Sequence, residues 1–277
     1  MILLNGISVN SANDRFPDGT PAFNDLETAV EKYGYLKVVN KEGPNRITWK
    51  FDNMGELFDV IAIKDWLREN FPETAKAQLH LRMPYIPNAR MDRVKGAADV
   101  FTLKTFCRLI NDCKFDRVEV TSAHSNVSLA LLNNVHNFEP VTVFLDQNGG
   151  AYDTLFLPDE GAVKRYTELK AVKEFPIVSA QKKRDWVTAK ILGLKIVGDV
   201  ADIKDKNILI IDDICSRGHS FKFSAIELKK LGAKNIELFV THCENVIDIA
   251  ALRKAGITKV WTTDSIYRGS DEFVKII

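Results

Sequence analysis

Residues 207–221, Asn-Ile-Leu-Ile-Ile-Asp-Asp-Ile-Cys-Ser-Arg-Gly-His-Ser-Phe, constrain this chain more than any other stretch. The run 208–211 is short, apolar, rich in β-branched residues and bounded by polar ones. That pattern predicts a buried central strand of a parallel sheet. The strand is expected to end in Asp212 and Asp213. A short loop with Gly218 and Ser220 then leads into helical periodicity over residues 221–231, closed by Gly232. Ligands of open α/β sheets bind beyond the carboxyl ends of the strands. A helix N-terminus there offers free backbone N–H groups to a phosphate. Two acids beside such a cradle suit the hydroxyls of a ribose or a metal ion. They equally suit an ordinary strand-to-helix turn whose acids cap the helix.

The rest of the chain repeats the theme. Helical periodicity covers residues 53–70, 102–110 and 128–133, and strand patterns cover 79–83, 117–121, 153–157, 236–240 and 259–262. Residues 141–145 read as a strand or an extended connector. Near the start, the apolar segments 2–4 and 35–39 flank Phe16-Pro17-Asp18-Gly19-Thr20, a turn signal that predicts a plain hairpin. Polar clusters recur after strands: Arg90, Asp92 and Arg93 after Met83, His124 after Thr121, Asp159 with Lys164 and Arg165 after Leu157, and the acids after Ile211. Two arginines and an acid on a Pro-fixed loop suit a polyphosphate, or form a solvated charged turn. The basic run Gln181-Lys182-Lys183-Arg184-Asp185 reads as a solvated loop. Alternating strand and helix calls for mainly parallel sheets with helices on both faces. Asn, Glu, Pro, Gln and Gly accumulate over residues 137–148, which predicts two Rossmann-like halves, 1–140 and 141–277.

Composition excludes several classes. The 277 residues carry 45% hydrophobic and 27% charged residues, a globular balance, and a net charge of +1. That charge supplies no basic field for nucleic acid, and no apolar run is long enough to span a membrane. The start of the chain lacks the basic and apolar regions of a signal peptide. The four cysteines, Cys107, Cys113, Cys215 and Cys243, have neither metal nor disulfide spacing and fit a reducing cytoplasm.

The Asp-Asp strand and its loop resemble the phosphate loop of type I phosphoribosyltransferases and of ribose-phosphate pyrophosphokinases (PRPP synthetases). The other clusters are similar to the second family and occur in its order. Arg15-Phe16-Pro17-Asp18-Gly19 resembles its adenine-site stretch. Pro84-Tyr85 through Ala89-Arg90-Met91-Asp92-Arg93 resembles its Pro-Tyr-x-x-Tyr-Ala-Arg-Gln-Asp-Arg motif. Val120 to Ser125 resembles the strand that ends in Asp-Leu-His-Ser. Pro158-Asp159-Glu160-Gly161 with Lys164-Arg165 resembles Pro-Asp-x-Gly and its basic pair. Lys182-Lys183-Arg184 resembles the mobile catalytic loop, and Val197-Gly198-Asp199-Val200 and Thr263-Asp264-Ser265-Ile266 continue the likeness. Nearly the whole chain is covered.

This resemblance implies two phosphoribosyltransferase type I-like α/β domains, each a mainly parallel sheet flanked by helices. It implies Mg2+-dependent transfer of the β,γ-diphosphoryl group of ATP to the anomeric hydroxyl of a ribose 5-phosphate unit. By the same likeness Lys182, Arg184 and His124 are catalytic. Phe16, Asp18, Arg90, Asp92 and Arg93 bind ATP, and His124 and Asp159 hold the metal. Asp212, Asp213, Ser216, Arg217, Gly218, His219 and Ser220 bind the sugar phosphate. Arg217 and His219 are larger than the family's residues there and suit an extended group such as the diphosphate diester of ADP-ribose. Shortened phage members of comparable length are thought to pyrophosphorylate that substrate in NAD salvage, so phage encoding belongs to the same expectation. Lys95-Gly96-Ala97-Ala98-Asp99 stands where the family has Arg-Glu-Pro, which implies a dimer rather than a hexamer. Synthetase-associated regulators share the fold without catalysing. The presence of Lys182, Arg184, His124, Asp159 and Asp212 together argues for the enzyme.

Overall fold

The computed structural model describes residues 1–9, 15–184 and 191–277, with the backbone alone at residues 36, 73, 75, 182–184 and 191–194. The chain divides into two units, Met1–Phe138 and Glu139–Ile277.

In the first unit the strands are β1 (Ile2–Leu4), β2 (Ile7–Ser8), β3 (Asn45–Trp49), β4 (Leu79–Arg82), β5 (Arg117–Thr121) and β6 (Val135–Phe138), in the sheet order β2-β1-β3-β4-β5-β6. From β3 to β6 all pairings are parallel, and β1 runs antiparallel to both β2 and β3. The helices are α1 (Asn24–Tyr33), α2 (Tyr35–Val38), α3 (Glu56–Asn70), α4 (Thr102–Asp112) and α5 (Asn126–Leu131). Helix α4 buries Leu103, Phe106, Cys107 and Ile110, spaced so that one face meets the sheet. On β5, Val118 and Val120 are buried and alternate with half-buried neighbours.

The second unit contains β7 (Thr154–Leu157), β8 (Ile177–Arg184), β9 (Ile191–Val197), β10 (Asn207–Cys215), β11 (Asn235–Cys243), β12 (Lys259–Thr262) and β13 (Val274–Ile276), ordered β13-β12-β11-β10-β7-β8-β9. All its pairings are parallel except β8 with β9. Its helices are α6 (Pro140–Asn148), α7 (Glu160–Tyr166), α8 (Lys170–Lys173), α9 (His219–Lys230) and α10 (Ile249–Lys254). Strand β10 is central, and Ile208 to Ile211 are fully buried between the helix layers. Among the described residues no helix is long and apolar enough to cross a membrane.

Four sequence expectations are corrected. The N-terminal hairpin is β1–β2, turned by Asn5 and Gly6, while residues 35–38 are helical and the Pro17-Asp18-Gly19 turn is closed by a single Arg15–Pro21 bridge. Residues 141–145 lie in helix α6, because Val141, Phe144 and Leu145 fall on one buried helical face and Pro140 starts it. The backbone of residues 181–184 is strand β8 rather than loop, since β9 pairs with it up to Arg184. Strand β10 continues past Asp212 and Asp213 to Cys215, because β11 extends alongside it to Cys243.

Candidate active site

In the first unit the stretch from Arg15 to Thr20 is a turn held by side-chain hydrogen bonds. The Arg15 guanidinium meets fully buried Asp59 of α3 at 2.5 Å and donates to the Gly19 carbonyl at 2.9 Å. Thr20 N donates to Asp18 Oδ1 at 2.9 Å, and the Thr20 hydrogen bonds hold the Asp18 carboxyl below its usual range. Phe16 is thereby displayed with 59% of its surface exposed.

After β4, Pro84, Ile86, Pro87 and Ala89 are buried and Arg90 emerges exposed. The same loop carries Asp92, whose Oδ1 accepts from Arg93 Nε at 2.8 Å and whose Oδ2 accepts from Ser125 Oγ at 2.8 Å. The Arg93 guanidinium first, and then the Ser125 hydroxyl and nearby His124, keep the Asp92 carboxyl ionised below the usual carboxylate range. Ser125 follows β5, so the expected residues Asp92, Arg93 and His124 are brought together where β4 and β5 end. Ser125 was missed as a site residue because its partner lies 33 positions earlier in the chain.

In the second unit Asp159 caps α7, accepting from Ala162 N at 3.1 Å. Arg165, in the last turn of α7, reaches Asp213 Oδ2 at 3.6 Å, and Asp213 N donates to Asp212 Oδ1 at 2.9 Å. Burial first, then the charges of Asp213 and Asp159, pushes the Asp212 carboxyl well above its usual range. Tyr166 is fully buried, and its hydroxyl has no hydrogen-bond partner among the described residues. Burial first, then the charges of Asp213 and Asp212, raises its phenol. From the sequence Arg165 was legible only as one of the basic pair Lys164-Arg165, because α7 must pack on β10 before Arg165 meets Asp213.

Gly218, at φ 81°, turns the chain into α9. Arg217 and His219 are exposed, and Ser216 and Ser220 are half-buried. The loop is stitched to the connection after β11 by Glu244 N donating to the Cys215 carbonyl at 2.8 Å and Asp248 N donating to the Arg217 carbonyl at 3.4 Å. The first-turn N–H groups of a helix are suited to an anion. Cys215 and Cys243, unpaired by any sequence spacing, stand at the same register on β10 and β11 and are both fully buried. The side chains of Lys182 and Arg184 lie outside the described residues, as do residues 185–190 in full.

Among the described residues no group of three or more His, Cys, Asp or Glu side chains could hold a metal ion by itself. Mg2+ is usually held by one or two carboxylates together with substrate phosphates. Asp159, Asp212 and Asp213 offer carboxylate oxygens, and the repulsion among them that, after burial, helps raise Asp212 is of a kind a divalent cation would relieve.

Two α/β units of this kind, one carrying paired acids that lead through a tight loop to a helix N-terminus, define a phosphoribosyltransferase-type architecture. No protein-family model matches the chain. It is 24% identical to the ribose-phosphate pyrophosphokinase of Pyrococcus abyssi over 241 residues, 86% of this chain and 77% of the relative. It is 28% identical to that of Thermococcus kodakarensis over 234 residues, covering 82% and 75%. Phosphoribosylpyrophosphate synthetase from Mycobacterium smegmatis has a similar fold, with a TM-score of 0.65 and 17% identity over 80% of this chain and 73% of that one. Over most of its length the chain is thus similar to ribose-phosphate pyrophosphokinases, and this similarity supports a diphosphokinase-type enzyme.

Proposed function

We propose that the protein transfers the β,γ-diphosphoryl group of ATP to the anomeric hydroxyl of ribose 5-phosphate, giving PRPP and AMP. The observation that carries this reading is the Asp212–Asp213 pair near the carboxyl end of strand β10, which runs on through Gly218 into α9, with Arg165 paired to Asp213. Asp212 and Asp213 take the ribose hydroxyls. Ser216, Gly218, Ser220 and the amides that open α9 take the sugar's phosphate. In the first unit Phe16, Asp18, Arg90, Asp92 and Arg93 take ATP.

The anomeric oxygen attacks the β-phosphorus. The new O–P bond forms as the α,β-bridging P–O bond breaks, and AMP leaves with the bridging oxygen. Negative charge spreads over several oxygens, so catalysis is positioning and charge neutralisation. Lys182 and Arg184 would neutralise the transferring group, and His124 and Asp159 would be the residues that hold Mg2+. Mg2+, when bound, supplies positive charge at the diphosphoryl oxygens.

A second reading keeps the chemistry and changes the acceptor to ADP-ribose. It is favoured by Arg217 and His219, both exposed on the loop that opens α9. The test is AMP release from Mg-ATP, with phosphorus NMR of the product, comparing ribose 5-phosphate and ADP-ribose. Turnover on ribose 5-phosphate supports the first reading, and a clear preference for ADP-ribose supports the second. AMP release with neither acceptor refutes both and favours a regulatory protein. Lys182→Ala should nearly abolish turnover while sparing ATP binding.

A further inference from the structure

We infer that Ser125 is a positioning residue for nucleotide binding: its hydroxyl locks Asp92, and Asp92 in turn aims Arg93 at an anionic phosphate. The inference rests on the proposed role of this loop in binding ATP.

A serine hydroxyl has one proton to donate and lone pairs to accept. Ser125 uses both capacities. It caps α5, accepting from Val127 N at 3.2 Å, and it donates its proton to Asp92 Oδ2 at 2.8 Å. The cap needs only the lone pair. The proton is therefore available for a second task, joining the segment after β5 to the loop after β4.

Arg93 shows what that task achieves. Its side chain is 69% exposed and paired to its own neighbour in sequence. Alone, such a surface pair is weak and leaves a long side chain sampling many rotamers. Here the carboxylate is itself immobilised, with a side chain only 14% exposed and its second oxygen held by Ser125. Arg93 donates Nε to Oδ1 at 2.8 Å and Nη2 to Oδ2 at 3.3 Å. This uses two of its five N–H groups in one plane. Among the described residues the Nη1 donors and one Nη2 donor remain in a fork, the geometry that recognises phosphate oxygens in pairs. Ser125 is 7% exposed and does not itself present its hydroxyl to solvent.

The test measures ATP binding to the full chain by calorimetry without acceptor, together with KM for ATP and kcat. Ser125→Ala should weaken ATP about tenfold and raise KM for ATP while leaving kcat within about twofold. Ser125→Asp keeps the cap but loses the proton, so it should weaken ATP at least as much. Ser125→Thr should restore binding. Ser125→Ala combined with Arg93→Ala should bind no more weakly than Arg93→Ala alone, because the serine acts through the arginine. Wild-type affinity in Ser125→Asp, or full additivity in the double variant, overturns the inference. If Ser125→Ala fails to fold, the Asp and Thr variants decide. A wild-type protein that binds ATP but releases no AMP refutes the proposed function and leaves the coupling in place. One that releases AMP while Ser125 and Arg93 behave independently does the reverse. A wild-type protein that does not bind ATP overturns both.

Discussion

Replacing Gly218 with alanine separates two costs that the structure makes visible. Gly218 sits at φ 81°, a left-handed conformation that roughly 1–2 kcal/mol of strain denies to alanine. A Cβ added there would lie 3.0 Å and 3.1 Å from the two methyl carbons of Leu252, which is fully buried in the core of the second unit. Leu252 has little room to move, so overpacking adds about 1–2 kcal/mol. Gly232, in the same unit at φ 90°, is the internal control: its Cβ would meet Lys204 at ordinary van der Waals distances, Cγ at 3.4 Å and Cα at 3.8 Å. Both substitutions lower unfolded-state entropy alike, so that contribution cancels between them. Gly218→Ala should therefore destabilise by about 2–4 kcal/mol and Gly232→Ala by about 1–2 kcal/mol. Urea unfolding read through tryptophan fluorescence measures this as a difference in midpoint at constant slope. Because Gly218 leads into α9, its variant should also raise KM for the sugar-phosphate acceptor at least tenfold and leave KM for ATP alone. Equal stability loss in the two alanine variants, or an unchanged acceptor KM, would refute the reasoning.

Two further predictions concern the second unit's core and the thiols. Tyr152 donates to Glu237 Oε2 at 2.7 Å, and Trp261 Nε1 donates to the same oxygen at 2.7 Å. Tyr152→Phe should cost about 1–2 kcal/mol in denaturant titration, the scale of a hydrogen bond to a charged acceptor. Burial and then Glu237 hold the Tyr152 phenol protonated above its usual range, so this contribution should be constant from pH 6 to 9 and fade only above about pH 10. A wild-type stability in the Phe variant would sink the assignment. All four cysteines are buried, and burial pushes the Cys107 thiol up to about 11. A thiol-reactive disulfide reagent at neutral pH should therefore label less than one thiol per chain until denaturant exposes all four; rapid native labelling would contradict this.

Local pattern carried much of the fold. Arg117–Thr121 and Lys259–Thr262 were read with the bounds the structure gives them, because alternation and flanking polar residues mark strand ends. Helix α4 announced itself through Leu103, Phe106, Cys107 and Ile110. Pattern failed where one sequence suits two environments. The run Val141 to Leu145 is apolar and partly β-branched, yet it buries as a helical face. Gln181 and the basic residues 182–184 have no strand signature, yet their backbone extends because β9 pairs with it.

The sequence by itself determined where polar and charged residues gather along the chain. Acids, arginines and a histidine just beyond apolar runs are local features, and a strand that ends in polar residues places them at a sheet's carboxyl edge. Tertiary structure alone decided which of them act together. Ser125 and Asp92 are 33 residues apart and become partners only because parallel β4 and β5 end side by side. Arg165 and Asp213 meet because α7 lies on β10, and Cys215 faces Cys243 because two strands run in register. Hydrogen bonds and ion pairs act over a few ångströms of space, and separation along the chain carries no information about that distance until the sheets form.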